Sequence, residues 1–283
     1  MPWTSPHNRP LPVPGVRTLI MGIVNLTPDS FSDGGKYDSV DAALIQARKL
    51  VEDGADVLDL GAESTRPGHA LVDAKTELGR LLPALRAIRE ALPEVPVSID
   101  TYKAEVAETA IRAGADIIND VWGGLHEAKD GFSPMGAVAA RLRAPIILMH
   151  NRTTPASDEV FWQEFLGDMQ RSIDLVRAAG VPDEQIWLDP GFGFGKTPAQ
   201  NLESLREMRR LVELGFPVLL GTSRKSTLGL VLEATVGERH EGNTSTVVWG
   251  IAQGAAMVRV HDVAAIRQAV RMADAIRAGL QFN

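Results

Sequence analysis

The amino-acid sequence predicts a (β/α)8 TIM barrel built as a single domain, and three observations predict it. Short apolar runs recur eight times along the chain. Amphipathic helical patterns lie between them. The same helix-to-strand junction is written twice, as Gly54-Ala55-Asp56-Val57 and as Gly114-Ala115-Asp116-Ile117. Near-continuous apolar runs are what parallel strands buried on both faces require. A glycine after a helical stripe stops the helix in a left-handed conformation and turns the chain into the next strand. Eight such units in 283 residues fit one barrel of ordinary size. A doubly wound open sheet is the rival. It calls for a glycine-rich dinucleotide loop after the first strand, and Asn25-Leu26-Thr27-Pro28 is not one.

The elements follow in order. Residues 1–16 carry five prolines, which excludes a helix and predicts an extended Pro-rich N-terminal arm ahead of a barrel at 17–283. The expected strands are Leu19–Leu26, Val57–Ala62, Val97–Asp100, Ile117–Val121, Ile146–His150, Ile186–Asp189, Val218–Gly221 and Met257–His261. Between the first two, Val40, Ala43, Leu44, Ala47, Leu50 and Val51 keep helical spacing over Val40–Asp53, with Gly54 as the stop. Val106, Ala107, Ala110 and Ile111 do the same over Lys103–Ala113, ended by Gly114. Gly180 and Gly215 mark similar turns before later strands.

Composition excludes several functions. Without cysteine there is no disulfide, no cysteine-ligated metal and no thiol nucleophile. This fits a reducing cytosol, and a cytoplasmic protein is expected. Lys and Arg number 29 against 36 Asp and Glu, a net charge of −7, which argues against a nucleic-acid partner. The most apolar stretch, Val247–Val260, is interrupted by Gln253 and Arg259 and is short of the roughly 18 residues of a membrane helix, so no membrane partner is expected either.

Polar residues end every strand, the position where barrels keep their active sites. Asn25 ends the first and Glu63-Ser64-Thr65-Arg66-Pro67-Gly68 follows the second; Asp100 ends the third, Asn119-Asp120 the fourth and Met149-His150 the fifth. Asp189 ends the sixth, Ser223-Arg224-Lys225 follows the seventh, and Arg259 and His261 close the eighth. A lone aspartate there commonly caps the next helix. Lys225, Arg259 and His261 have no such use. Asp100, Asn119 and Asp189 suit a planar heterocycle rich in N–H donors, such as an aminopyrimidinone edge. Lys225, Arg259 and His261 suit an anion in the sector where barrels often bind phosphate. Three glycine-bearing segments, 27–35, 64–70 and 189–196, are candidate substrate loops, with Phe31 a lid residue and Phe194 a flat apolar wall. The segment ending in Lys196-Thr197 lacks Walker spacing.

The run Met21 through Gly35, MGIVNLTPDSFSDGG, resembles the first signature of the dihydropteroate synthase family. Glu63 through Gly68 resembles the second. Asn119-Asp120-Val121, Asp189 through Lys196, Ser223 through Ser226 and Arg259 through Asp262 are similar to further family motifs in the same order. The resemblance spans about Leu19 to Arg277. It implies a barrel transferase that joins 6-hydroxymethyl-7,8-dihydropterin diphosphate to 4-aminobenzoate. By motif match, Asp100, Asn119, Met149, Asp189 and Lys225 would hold the pterin. Asn25, Arg259 and His261 would hold diphosphate, with Mg²⁺ bridging to Asn25. Phe31, Thr65, Arg66, Pro67, Phe194 and Ser226 would shape the 4-aminobenzoate site. Asp100, Lys225, Asp33 and Arg66 would be the catalytic set. A dissociative C–O cleavage, small-molecule partners and a homodimer are implied as well. The chain departs from the family pattern at Trp122 and at Asn151-Arg152-Thr153-Thr154-Pro155. A methyltetrahydrofolate-dependent methyltransferase, a non-catalytic pterin-binding barrel and a Schiff-base aldolase using Lys225 are the alternatives.

Overall fold

Eight parallel strands wrap into a barrel because each is apolar on both faces. In the computed structural model, which describes residues 3–27, 36–63 and 71–279, these are β1 (Leu19–Asn25), β2 (Val57–Gly61), β3 (Val97–Asp100), β4 (Ile117–Asp120), β5 (Ile146–Met149), β6 (Ile186–Asp189), β7 (Leu219–Leu220) and β8 (Met257–Val260). The hydrogen-bonded order is β6-β5-β4-β3-β2-β1-β8-β7. A parallel bridge between Leu188 and Val218, with the Leu188 N–H donating to Pro217 O at 3.0 Å, closes the circle between β6 and β7. β7 is shorter than the apolar run predicts, since only two of its residues complete the ladder.

Helices alternate with the strands and cover the barrel. They are α1 (Lys36–Asp53), α2 (Ala74–Ala91), α3 (Ala104–Arg112), α4 (Pro134–Leu142), α5 (Phe161–Ala178), α6 (Pro198–Arg206), α7 (Arg209–Val212), α8 (Ser226–Leu232), α9 (His240–Gln253) and α10 (Val263–Ala278). The first begins four residues before the predicted Val40 start. Outward strand residues such as Leu58, Leu60, Ile99, Ile118 and Leu188 pack against this ring. None of the helices among the described residues is long and apolar enough to cross a membrane.

The repeated Gly-Ala-Asp junction has one structural job in both copies. Gly54 (φ +106) and Gly114 (φ +112) take the left-handed turn. The aspartate then accepts from the neighbouring strand: Asp56 Oδ2 from the Ile20 N–H at 2.8 Å, and Asp116 Oδ2 from the Val97 N–H at 2.9 Å. A strand entering the barrel exposes a backbone donor that the ladder does not reach, and the carboxylate satisfies it.

The N-terminal arm seals the barrel floor. Leu19, Met21, Val57, Ile117, Ile147, Trp187, Leu219 and Met257 fill the interior, and Trp3 joins them from below. The Trp3 ring lies 4.5 Å from Trp187 and its indole N–H donates to Pro12 O at 2.7 Å. Ser5 Oγ donates to Asp116 Oδ1 at 2.5 Å, Arg9 pairs with the same carboxylate, and His7 Nε2 lies 2.8 Å from Ile111 O. The prolines keep this segment extended, and it adds no strand to the barrel.

Candidate active site

At the opposite end of the barrel, strand termini place acids and cations around one cavity. Asp100 ends β3, Asn119 is its register neighbour on β4, and Asp189 is the register neighbour of Met149 across β5 and β6. All four are buried, and they line the cavity together with Phe194, Lys225 and Arg259. Asp100 accepts from Arg259 Nη2 at 2.7 Å, while its other oxygen is buried with no protein partner. An acceptor left without a donor inside a cavity calls for a ligand N–H or water.

Burial dominates the electrostatics. It pushes the Asp100 carboxyl up to about 7; Arg259 and Lys225 work against this, and the Asp59 charge adds to it. Burial also pushes Asp189 upward, opposed by the Gly191 N–H, which donates to Asp189 Oδ1 at 2.7 Å, and by Lys225. Above that pH Asp100 is a pure acceptor.

The glycine-rich loop after β6 is pressed onto β5. A Cβ on Gly191 (φ +64) would stand 1.9 Å from His150 O, so only glycine fits. Lys196 clamps the loop: its Nζ donates to Gly191 O and Phe194 O at 3.1 Å and lies 2.8 Å from His150 Nδ1. Burial pushes His150 down to about 4, so its ring is neutral and its Nδ1 accepts from the lysine. Its Nε2 faces Asp168 Oδ2 at 3.4 Å. The clamp sets Phe194, whose ring carries Lys225 Nζ 3.8 Å from its centroid. Lys225 itself stands at the start of α8, where its side chain makes no capping bond.

Sequence reasoning missed two of these groups. Asp59 sits in the middle of β2, fully buried, and accepts from Arg259 Nε at 2.5 Å and from Asn119 Nδ2 at 3.2 Å. Its signal was an acid inside an otherwise apolar run, which must find a partner once buried. Lys196 closes the glycine-rich segment, and nothing local in the sequence pairs it with His150.

The anion residues divide. His261 Nδ1 lies 2.9 Å from Ser223 Oγ, tying the end of β8 to the segment after β7, and Asn25 is partly buried at the end of β1. Arg259 is not grouped with them. The alternation of β8 turns its side chain inward onto Asp59 and Asp100, so it belongs to both expected sectors at once. Ser226 is exposed on the first turn of α8. Phe31, Asp33, Thr65, Arg66 and Pro67 lie outside the described residues. Glu63, just before 64–70, is held by Lys103 and by the Tyr102 hydroxyl at 3.2 Å, and it accepts from the Val72 N–H at 2.9 Å. Trp122 and Asn151 through Pro155 line a separate, wider groove of about 600 Å³ and not the Asp100 cavity.

Known proteins match this arrangement. The family model described as "Pterin binding enzyme" matches residues 21–261. A dihydropteroate synthase of Clostridium beijerinckii is 49% identical over 263 residues, covering 93% of this chain and 95% of its own length. A crystal structure of the Clostridium difficile dihydropteroate synthase in the presence of pteroic acid superposes with a TM-score of 0.88 at 46% identity, covering 93% of this chain and 98% of that one. The Xanthomonas albilineans enzyme with 4-aminobenzoic acid gives 0.85 at 40% identity, over 93% and 94% of the two chains. A buried carboxylate–carboxamide cavity at the mouth of a (β/α)8 barrel, together with these likenesses, places the chain in the dihydropteroate synthase family of pterin-binding enzymes.

Proposed function

We propose that this chain condenses 6-hydroxymethyl-7,8-dihydropterin diphosphate with 4-aminobenzoate, releasing 7,8-dihydropteroate and diphosphate in folate biosynthesis. The observation that carries the proposal is the cavity where Asp100, Asn119, Asp189 and Lys225 converge. Relatives crystallised with pteroic acid and with 4-aminobenzoic acid support the two substrates.

The carboxylates of Asp100 and Asp189 accept from ring and exocyclic N–H groups, Asn119 adds a donor and an acceptor, and Met149 packs on the ring face. Breaking the C–O bond to diphosphate leaves a resonance-stabilised pterin cation, and the Asp100 carboxylate lies beside the ring to stabilise it. Arg259, His261 and Asn25 hold the departing diphosphate. The arylamine, seated against Phe194, Ser226 and the segments bearing Phe31, Thr65, Arg66 and Pro67, attacks the methylene carbon with its nitrogen lone pair and gives up its proton to water. Asp33 and Arg66 complete the catalytic set with Lys225 and Asp100.

Mg²⁺ is part of the proposal. Among the described residues no group of three or more His, Asp or Glu stands together as a metal site. Asn25 at the end of β1 would offer its side-chain amide oxygen, a hard donor of the kind Mg²⁺ accepts alongside phosphate and water. Bound there, the cation would supply charge neutralisation to the leaving group. Asn25→Ala is expected to weaken Mg²⁺-dependent diphosphate binding about tenfold and to leave free pterin binding within about twofold, both read by calorimetry. Equal losses for the two ligands contradict the assignment.

A homodimer is supported by an exposed apolar face on adjacent helices: Leu202 of α6, Leu230, Val231 and Leu232 of α8, and Trp249 of α9. Sedimentation is expected to give twice the chain mass, and Leu230→Glu to halve it; a wild-type monomer refutes this. Residues 17–283 form the catalytic unit, 1–16 its floor, and a cytoplasmic setting completes the reading.

The function is tested by incubating the protein with pterin diphosphate, 4-aminobenzoate and Mg²⁺. Dihydropteroate and diphosphate are expected in equal amounts. Neither product forming would reject the proposal.

A further inference from the structure

We propose that Asp59 is a positioning residue: it keeps Arg259 engaged from below so that Asp100 is released to the pterin. The proposal rests on the pterin assignment of the cavity.

Two carboxylates share one guanidinium. Arg259 gives Nε to Asp59 at 2.5 Å and Nη2 to Asp100 at 2.7 Å. The two acids are not equivalent. Asp59 is in the middle of β2, 0% exposed, between its register neighbours Ile23 and Ser98, and its accepting oxygen also takes the Asn119 Nδ2 donor at 3.2 Å. It does not line the cavity. Asp100 ends its strand, lines the cavity and keeps one oxygen with no protein partner.

This difference sets which acid can let go. A pterin N–H set that engages the open Asp100 oxygen competes with Arg259 for the carboxylate charge and draws it toward the ligand. If Asp100 were the sole anion, the move would strand a buried guanidinium, which is strongly unfavourable. Asp59 removes that penalty, because Arg259 retains an anion before and after the ligand arrives. The same carboxylate holds the Asn119 amide, so one side chain that touches no substrate orients two that do. This is the role that outer groups play around metal ligands, carried out here by an acid inside a strand.

The charged groups facing Asp100 are Arg259 from β8, Asp59 from β2, Lys225 ahead of α8 and Glu77 from α2. Asp59 is among those that push Asp100 upward. Neutralising it leaves Arg259 to Asp100 alone. Asp100 then titrates at lower pH and is held against its cation.

The test is Asp59→Asn, which keeps volume and an acceptor but removes the charge. The probe is 6-hydroxymethyl-7,8-dihydropterin without diphosphate, titrated by calorimetry. At pH 8 its affinity is expected to fall about tenfold or more. The pH below which affinity drops, close to 7 in the wild type, is expected to move lower. A merely structural residue would leave that pH in place. In an Arg259→Met background, adding Asp59→Asn is expected to cause no further loss, because the charge acts through the arginine and the Asn119 amide needs only the acceptor that asparagine keeps. This pair also decides the matter if the single variant does not fold. Unchanged affinity in Asp59→Asn, an unmoved pH limb, or a further tenfold loss in the Arg259→Met background would overturn the proposal. Wild-type protein that binds no dihydropterin would instead defeat the pterin assignment beneath it.

Discussion

Replacing Lys225 by alanine is expected to cut dihydropteroate synthesis by about a thousandfold or more, equivalent to roughly 4 kcal/mol of transition-state stabilisation. Two losses add up. Lys225 and Arg259 are the cations lining a cavity that also holds Asp100 and Asp189. The Lys225 charge draws both acids downward against burial. Without it both are pushed further up, and at neutral pH more of Asp100 carries a proton where the ligand needs an acceptor. The second loss is the wall. The lysine stem packs on Gly193, where a Cβ would meet Lys225 Cδ at 3.0 Å, and the ammonium lies over Phe194 at 3.8 Å. A cation over an aromatic face contributes about 0.5–2 kcal/mol. Lys225→Arg is not expected to rescue, since a planar fork does not fit a point-charge position. Product formation and calorimetric pterin binding check this together. Full turnover in Lys225→Ala removes the residue from the mechanism.

Trp3→Ala is expected to be strongly destabilising at the far end of the barrel. Trp3 is 3% exposed, stacks 4.5 Å from Trp187 and completes the interior layer with Leu19, Met21, Val57 and Ile147. Truncating a buried tryptophan costs about 3–5 kcal/mol, from lost burial and from the cavity left behind. For a chain of this size that lowers the melting midpoint by about 10 °C. Turnover at 25 °C is expected to stay close to wild type, because the substitution lies under the floor and not at the mouth. Scanning calorimetry and a room-temperature assay separate the two effects. A midpoint within about 2 °C of wild type contradicts the sealing role.

The barrel was legible because burial on both faces leaves its mark residue by residue: eight apolar runs became eight strands, five of them ending one residue sooner than expected and β7 reduced to Leu219 and Leu220. The junction glycines were legible for the same local reason. What escaped depends on register and long-range contact. Arg259 meets Asp59 and Asp100 across 200 and 159 positions of sequence, so nothing local says that it turns inward. Lys196 finds His150 across 46 positions. Trp3 stood in plain view among prolines, yet only a closed barrel with a floor gives it a place. Strand-end residues were readable as a set, since topology alone brings them to one face; their pairings were not.

The sealed floor has a consequence for traffic. Among the described residues, Trp3 stacked on Trp187 stoppers the end of the barrel opposite the strand-end acids. On the proposed chemistry, two substrates enter and two products leave on the side away from that stopper. A stopper at one end leaves traffic to the end where Asp100, Asn119 and Asp189 line the cavity.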